Sequence, residues 1–173
     1  MKRKIWMVVL GAIMCLAWPL RAQFVYVANL ADNTVSGYRI HRKTGALTPI
    51  PGSPFATGFS PYSVAVDPTG QFAYVANESI ENYRAGRPGT VSGYSIDRKT
   101  GALTPVPGSP FAGGDVPRSV TVDPTGQFAY VTNVYSNTIS GYSIDRKTGA
   151  LTLVSGSPFA AERGPVSLAI TRH

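Results

Sequence analysis

Seven side chains in this sequence could carry chemistry that its architecture does not need: Glu78, Glu81, Tyr83, Arg84, Arg87, Arg118 and Arg163. Each stands where a pattern that recurs three times along the chain is broken, and a residue unique to one copy is not required to build that copy. Asp115 and Glu162 break the pattern in the same neighbourhoods. Arginine presents a planar fork of donors that holds a carboxylate or phosphate through paired hydrogen bonds. A carboxylate beside it can position a water for hydrolysis. These seven residues are the candidate ligand-binding set, and the alternative is a charged loop that is simply solvated.

Other chemistry finds no support in the residues. The two histidines, His41 and His173, fall in a turn and at the C-terminus, away from any metal-ligand spacing, so no metal site and no cofactor is expected. No serine sits in a G-x-S-x-G elbow, and Gly52-Ser53-Pro54 recurs in all three copies as a turn. Asp67, Asp97, Asp123 and Asp145 recur as turn residues that cap their own backbone. Asn29, Asn77 and Asn133 close equivalent strands and are expected to satisfy loop backbone. Asn77-Glu78-Ser79 also spells a glycosylation sequon.

The elements that must position the candidate set come from the repeat itself. QFVYVAN at Gln23, QFAYVAN at Gln71 and QFAYVTN at Gln127 are each followed by TVSGY or TISGY, then RKTGALT, then GSPFA. Tyr26 and Tyr74 are 48 residues apart and Tyr74 and Tyr130 are 56, the extra 8 lying between Asn77 and Thr90. A repeat of this length with strand-like content points to propeller blades of four strands. In the second copy the strands read as Ser63 to Asp67, Phe72 to Asn77, Thr90 to Asp97 and Ala102 to Phe111. Asp67-Pro68-Thr69-Gly70 suits the turn between the first two, and Gly101 can take the positive φ that a short turn between the last two requires. Phe72 and Tyr74 alternate with Ala73 and Val75, so both faces of the second strand are apolar, as a blade sandwiched between neighbours demands. Prolines such as Pro105 and Pro107 place the fourth strand at the outer edge, where a missing donor is tolerated.

That order puts the second-to-third and fourth-to-first connections on one rim, here called the top, and all seven candidate residues fall there. The opposite rim carries Arg42-Lys43, Arg98-Lys99 and Arg146-Lys147, a repeated basic ring expected to serve solubility.

The strings YVAN and YVTN, SGY, TGALTPVPGSPF and SVAVDPTGQFAYVAN resemble the repeat of the YVTN-type, lactonase-family propellers, across nearly all of residues 23–170. The resemblance implies a β-propeller and, for some members of that family, hydrolysis of sugar lactones such as 6-phosphogluconolactone in seven-bladed rings. This chain holds three copies, and the motifs that match are strand and turn positions that build any blade.

The opening Met1-Lys2-Arg3-Lys4, the apolar run from Ile5 to Leu20 and Arg21-Ala22-Gln23 read as a signal peptide cut after Ala22. The run is short for a membrane span and contains Pro19. Removing Lys2, Arg3, Lys4 and Arg21 leaves 12 basic residues against 9 acidic ones, and the formal charge falls from +7 to +3. A nucleic-acid partner, which needs a dense basic face, is not expected. The only cysteine, Cys15, leaves with the signal.

The expectation is thus an all-β, secreted or periplasmic protein with a signal peptide over 1–22 and a propeller domain over 23–173, in repeats 23–70, 71–126 and 127–173. Its three four-stranded antiparallel blades form a partial ring or half of a six-bladed dimer. Function is read as an exported binding or scaffold module for an unknown small molecule or protein, with a lactonase-like hydrolase as the alternative. The first copy begins at its second strand, while Pro165 to Thr171 matches a first strand, so two copies are expected to complete each other as a homodimer. A fragment of a seven-bladed ring is the other arrangement the repeats allow.

Overall fold

The computed structural model describes residues 22–79 and 88–171. Every regular element among them is a β-strand, and the strands form three antiparallel sheets. The first sheet holds β1 (Phe24–Asn29), β2 (Thr34–Ile40), β3 (Leu47–Pro49) and β4 (Phe55–Ala56). The second holds β5 (Pro61–Val66), β6 (Phe72–Asn77), β7 (Thr90–Ile96), β8 (Leu103–Pro105) and β9 (Phe111–Ala112). The third repeats the second as β10 (Pro117–Val122), β11 (Phe128–Asn133), β12 (Thr138–Ile144), β13 (Leu151–Leu153) and β14 (Phe159–Ala160). Each sheet is one blade, and the three stand side by side as a partial propeller, β1 against β5 and β5 against β10.

The turns form as their residues dictate. Asp67 accepts from the backbone N–H of Gln71 and Phe72 on Oδ1 and from Thr69 on Oδ2, which closes the β5–β6 hairpin. Asp97 accepts from Lys99 and Thr100 N–H between β7 and β8, and Gly101 takes φ +82° there. The aspartates are thus occupied with their own turns.

The fourth strand differs from the expected continuous run. It leaves the ladder after Pro105, turns through Gly108 and rejoins β7 as β9. Pro107 and Pro110 supply no N–H, and the gap is bridged by Ser109, whose Oγ accepts from Gly93 N–H at 3.0 Å. Ser53 and Ser157 do the same for Gly37 and Gly141, so the serine of the GSPF string stands in for a missing strand carbonyl. Gly93 itself has no room for a side chain: a Cβ there would lie 2.9 Å from Val106 Cγ2 and 3.0 Å from Phe111 Cε2.

Two apolar clusters lie between the blades. One joins Val35, Ala73, Val75, Tyr94 and Leu103, and the other joins Phe72, Tyr74, Val91, Val106, Val120, Val131 and Tyr142 with their neighbours. Each side chain of that size buried from water contributes about 1.5–3 kcal/mol. Tyrosine hydroxyls latch the same interfaces. Tyr26 and Tyr74 donate to the Gly101 and Gly149 carbonyls of the following blade, at 2.7 and 2.9 Å. Tyr94 and Tyr142 donate to the Ala56 and Ala112 carbonyls of the preceding one, at 2.5 and 2.8 Å. The tyrosines of YVAN and SGY are therefore inter-blade contacts.

The segment 165–171 continues the arc beyond β10, with the Leu168 carbonyl accepting from Thr121 Oγ1 at 3.4 Å. It joins no ladder, because no second strand lies beside it among the described residues.

Candidate functional site

At the top rim the two connections of each blade are zipped together. Glu78 N–H donates to the Ser60 carbonyl and Ser79 N–H to the Phe59 carbonyl, while Val134 and Tyr135 bind Val116 and Asp115 in the same way one blade on. The first strands β5 and β10 enter this rim through a register shift, between Pro61 and Ser63 and between Pro117 and Ser119. Such a bulge lifts one residue out of the ladder and re-aims its side chain. The lifted residues are Tyr62 and Arg118.

The two equivalent bulges on adjacent blades bring these side chains together. The Arg118 guanidinium carbon lies 4.6 Å from the centroid of the Tyr62 ring, within cation–π range. Arg118 Nη2 also donates to Glu78 Oε1 in an ion pair. The Glu78 side chain is only 6% exposed and that of Arg118 25%, so the pair is largely withdrawn from water and holds its geometry. Arg118 is raised above the ordinary arginine value, first by the Glu78 hydrogen bond, against partial desolvation, with the Glu78 charge and the nearby Tyr62 and Tyr135 adding to it.

Of the seven residues singled out by sequence, the structure thus brings Glu78 and Arg118 into contact. Arg163 lies exposed in the connection after β14 and forms no ion pair among the described residues. Glu81, Tyr83, Arg84 and Arg87 lie outside the described residues, as does His173. His41 is exposed in its turn, 2.8 Å from Thr44 Oγ1, and no group of three metal-ligating side chains occurs among the described residues. Asn77 does not serve loop backbone as expected. Its Nδ2 donates to Thr90 Oγ1 and Ser92 Oγ on β7, at 3.0 and 2.9 Å, and Gly58 packs over the amide, where a Cβ would lie 2.7 Å from Nδ2. Asn29 and Asn133 repeat this pairing on their own blades.

Tyr62, Tyr135 and Phe59, all exposed at this rim, are not among the seven residues that the sequence singles out. The signal was present: Pro61-Tyr62-Ser63, Pro117-Arg118-Ser119 and Pro165-Val166-Ser167 differ only at the bulged position. A cavity of about 370 Å³ lies elsewhere, on the bottom rim between the first two blades, lined by Phe24, Tyr26, Val66 and Ile96 among others. Its walls combine these apolar strand residues with the turn residues Thr69, Gly70 and Arg98.

A family model described as a lactonase, seven-bladed β-propeller matches residues 20–108 and 65–167. The chain belongs to this lactonase family. No curated protein matches it by sequence. Solved structures share the propeller fold: a candidate 6-phosphogluconolactonase from Bacteroides fragilis (TM-score 0.71, 24% identity, covering 83% of this chain and 37% of that one) and another from Bacteroides uniformis (0.70, 17%, 82% and 38%). A periplasmic gluconolactonase from Pseudomonas aeruginosa aligns with TM-score 0.60 and 20% identity over 83% of this chain and 40% of its own. This lactonase-family chain therefore spans about two fifths of the length of the structures it resembles.

Proposed function

We propose that the protein is a propeller working outside the cytoplasm, after removal of residues 1–22, as a binding or scaffold module whose ligand sits on the Glu78–Arg118–Tyr62 corner. The observation that carries this reading is the paired bulge, which brings the Arg118 cation and the Tyr62 ring together at one point of the top rim, where Glu78, just after β6, meets the guanidinium. An arginine fork beside an aromatic ring suits a small polyhydroxylated acid or its lactone, the ring taking the carbon face and the fork taking the oxygens.

Membership of the lactonase family supports a second reading, in which the corner opens a sugar lactone. Glu78 then orients the attacking water, and Arg118 stabilises the negative charge that develops on the carbonyl oxygen. A panel of aldonolactones offered to purified protein distinguishes the two. Binding without turnover above the buffer rate supports the module. Hydrolysis that Arg118→Ala abolishes supports the enzyme, and neither binding nor hydrolysis by any member of the panel defeats both.

We propose in addition that two copies associate to complete one ring. The support is a blade set that remains open on both sides among the described residues.

A further inference from the structure

We propose that the outer edge of the third blade is a docking strand for another protein: β13 accepts an extended peptide segment that runs antiparallel to it, apolar opposite Leu153 and acidic toward its C-terminal end, where Arg146 and Lys147 stand. This site is separate from the Glu78–Arg118–Tyr62 corner and does not depend on it.

The three outer strands differ at two positions. Leu47-Thr48-Pro49-Ile50-Pro51 and Leu103-Thr104-Pro105-Val106-Pro107 become Leu151-Thr152-Leu153-Val154-Ser155 in the third copy. The register shows what the first of those prolines does. Asp145 N–H donates to the Ala150 carbonyl at 2.9 Å and Val154 N–H to the Gly141 carbonyl at 3.0 Å, so residues 150, 152 and 154 turn their backbone groups inward to β12. Alternation then turns the backbone groups of Leu151 and Leu153 outward. The same bonds in the other blades, from Ile50 to Gly37 at 3.1 Å and from Val106 to Gly93 at 3.0 Å, put Pro49 and Pro105 at the outward position. Proline there removes a donor that an added strand would need, which guards an exposed edge. The third blade carries no such guard.

β13 therefore offers an unused ladder, since β12 is its only strand neighbour among the described residues. Strand addition draws affinity from such backbone groups and selectivity from the side chains beside them. Leu153 is 51% exposed, and an apolar residue opposite it would cover it.

The charge at one end of the edge sets the rest of the partner's chemistry. Arg146 and Lys147, just before β13, are exposed and form no ion pair among the described residues. The acid beside them is committed to its own turn, because Asp145 Oδ1 accepts from Lys147 and Thr148 N–H at 2.8 and 3.0 Å. Every strand pair in the three blades is antiparallel. In that direction an added strand brings its C-terminal end to this basic turn. A second copy of β13 fits less well: paired antiparallel about Thr152, it sets Ser157 and Pro158 opposite Lys147 and Arg146, with no carboxylate to meet them. Two three-residue edges also cover far less than the roughly 1,000 Å² of a stable association.

The test titrates the isotope-labelled full chain with the acetylated peptide TVTVTD, its C-terminal carboxylate free, and follows the backbone amide signals. The expected result is one peptide per chain, with the Leu151 and Leu153 amides shifting most. Leu153→Pro, which installs the residue that the other two blades carry, keeps the melt and weakens binding about tenfold or more. Pro105→Leu with Pro107→Ser, which gives the second blade the outer strand of the third, raises the stoichiometry to two. Absence of saturable binding, binding that Leu153→Pro leaves unchanged, or no second peptide on the double variant overturns the proposal. Equal affinity for a peptide with Lys in place of the Asp overturns the part given to Arg146 and Lys147. A mass that rises with concentration, falls with Leu153→Pro and comes with no peptide binding gives the edge to a second copy and overturns the peptide assignment.

Discussion

Tyr62 and Arg118 occupy the same bulge on adjacent blades, and the guanidinium of one lies 4.6 Å from the ring centroid of the other. The contact is a consequence of repetition: identical backbone irregularities, one blade apart, aim successive side chains at a common point.

That corner has an asymmetric energetic structure. Arg118→Ala leaves the 6% exposed Glu78 carboxylate without its partner, whereas Glu78→Gln removes the buried charge and leaves an acceptor for the guanidinium. Urea unfolding is expected to show Arg118→Ala as the more destabilising change, by about 1–3 kcal/mol, with Glu78→Gln costing less. The reverse order would mean that Glu78 is solvated.

The Tyr74 hydroxyl donates to Gly149 across a blade interface at 2.9 Å. Tyr74→Phe leaves that carbonyl unpaired and is expected to lower stability by about 1–2 kcal/mol. Tyr130→Phe, at the equivalent position without a following blade in the same chain, should leave a dilute monomer unchanged and weaken only the assembled form. Chemical denaturation across a range of protein concentration separates the two.

Gly93→Ala is expected to cost about 1–3 kcal/mol through overpacking, since its Cβ would press on Val106 and Phe111 at 2.9 and 3.0 Å. Thermal melts should show the loss, and Val106→Ala in the same chain should recover part of it by opening the space.

Stability should decline at both ends of the pH scale. The carboxyls of Asp97 and Asp145 lie below the ordinary aspartate value of 3.8, chiefly through backbone N–H donors at Thr100 and Lys99 and at Lys147 and Thr148. Burial pushes Asp123 up, but its hydrogen bonds from Thr125, Phe128 and Gln127 outweigh it and leave a net lowering. The folded chain binds these protons less readily than the unfolded one, so the contribution is complete above the unfolded value and is lost as pH falls through the lowered folded values. At the alkaline end burial lifts Tyr26 from 10.0 to about 12. Its contribution is complete below pH 10 and disappears as pH rises toward 12. Melting temperatures measured from pH 2 to 12 should trace a plateau between these limits, and Asp123→Ala should lower the plateau.

Much of this was legible in the residues. Asp67, Gly101 and Pro105 carry local instructions, since a turn cap, a positive φ and a missing donor act within a few residues, and their turns and edge strand appear where expected. The break in the fourth strand was not legible in this way. It depends on Ser109 reaching Gly93, sixteen residues back, a pairing that only the folded blade creates. The Glu78–Arg118 contact crosses from one blade to the next, and sequence could nominate both residues as departures from the repeat without telling that they meet. Asn77 misled because a strand-end amide has both loop and strand partners within reach, and its Nδ2 is taken by Thr90 and Ser92 of the neighbouring strand.

The most direct test of the Glu78–Arg118–Tyr62 corner is calorimetric titration of the full chain with gluconate, a stable polyhydroxylated acid, against the parent protein and Arg118→Ala and Tyr62→Ala variants that retain their melts. The account predicts saturable binding to the parent, weakened about tenfold or more by either substitution, as loss of a charge-assisted hydrogen bond or an aromatic platform requires. Equal affinity in all three proteins would contradict it.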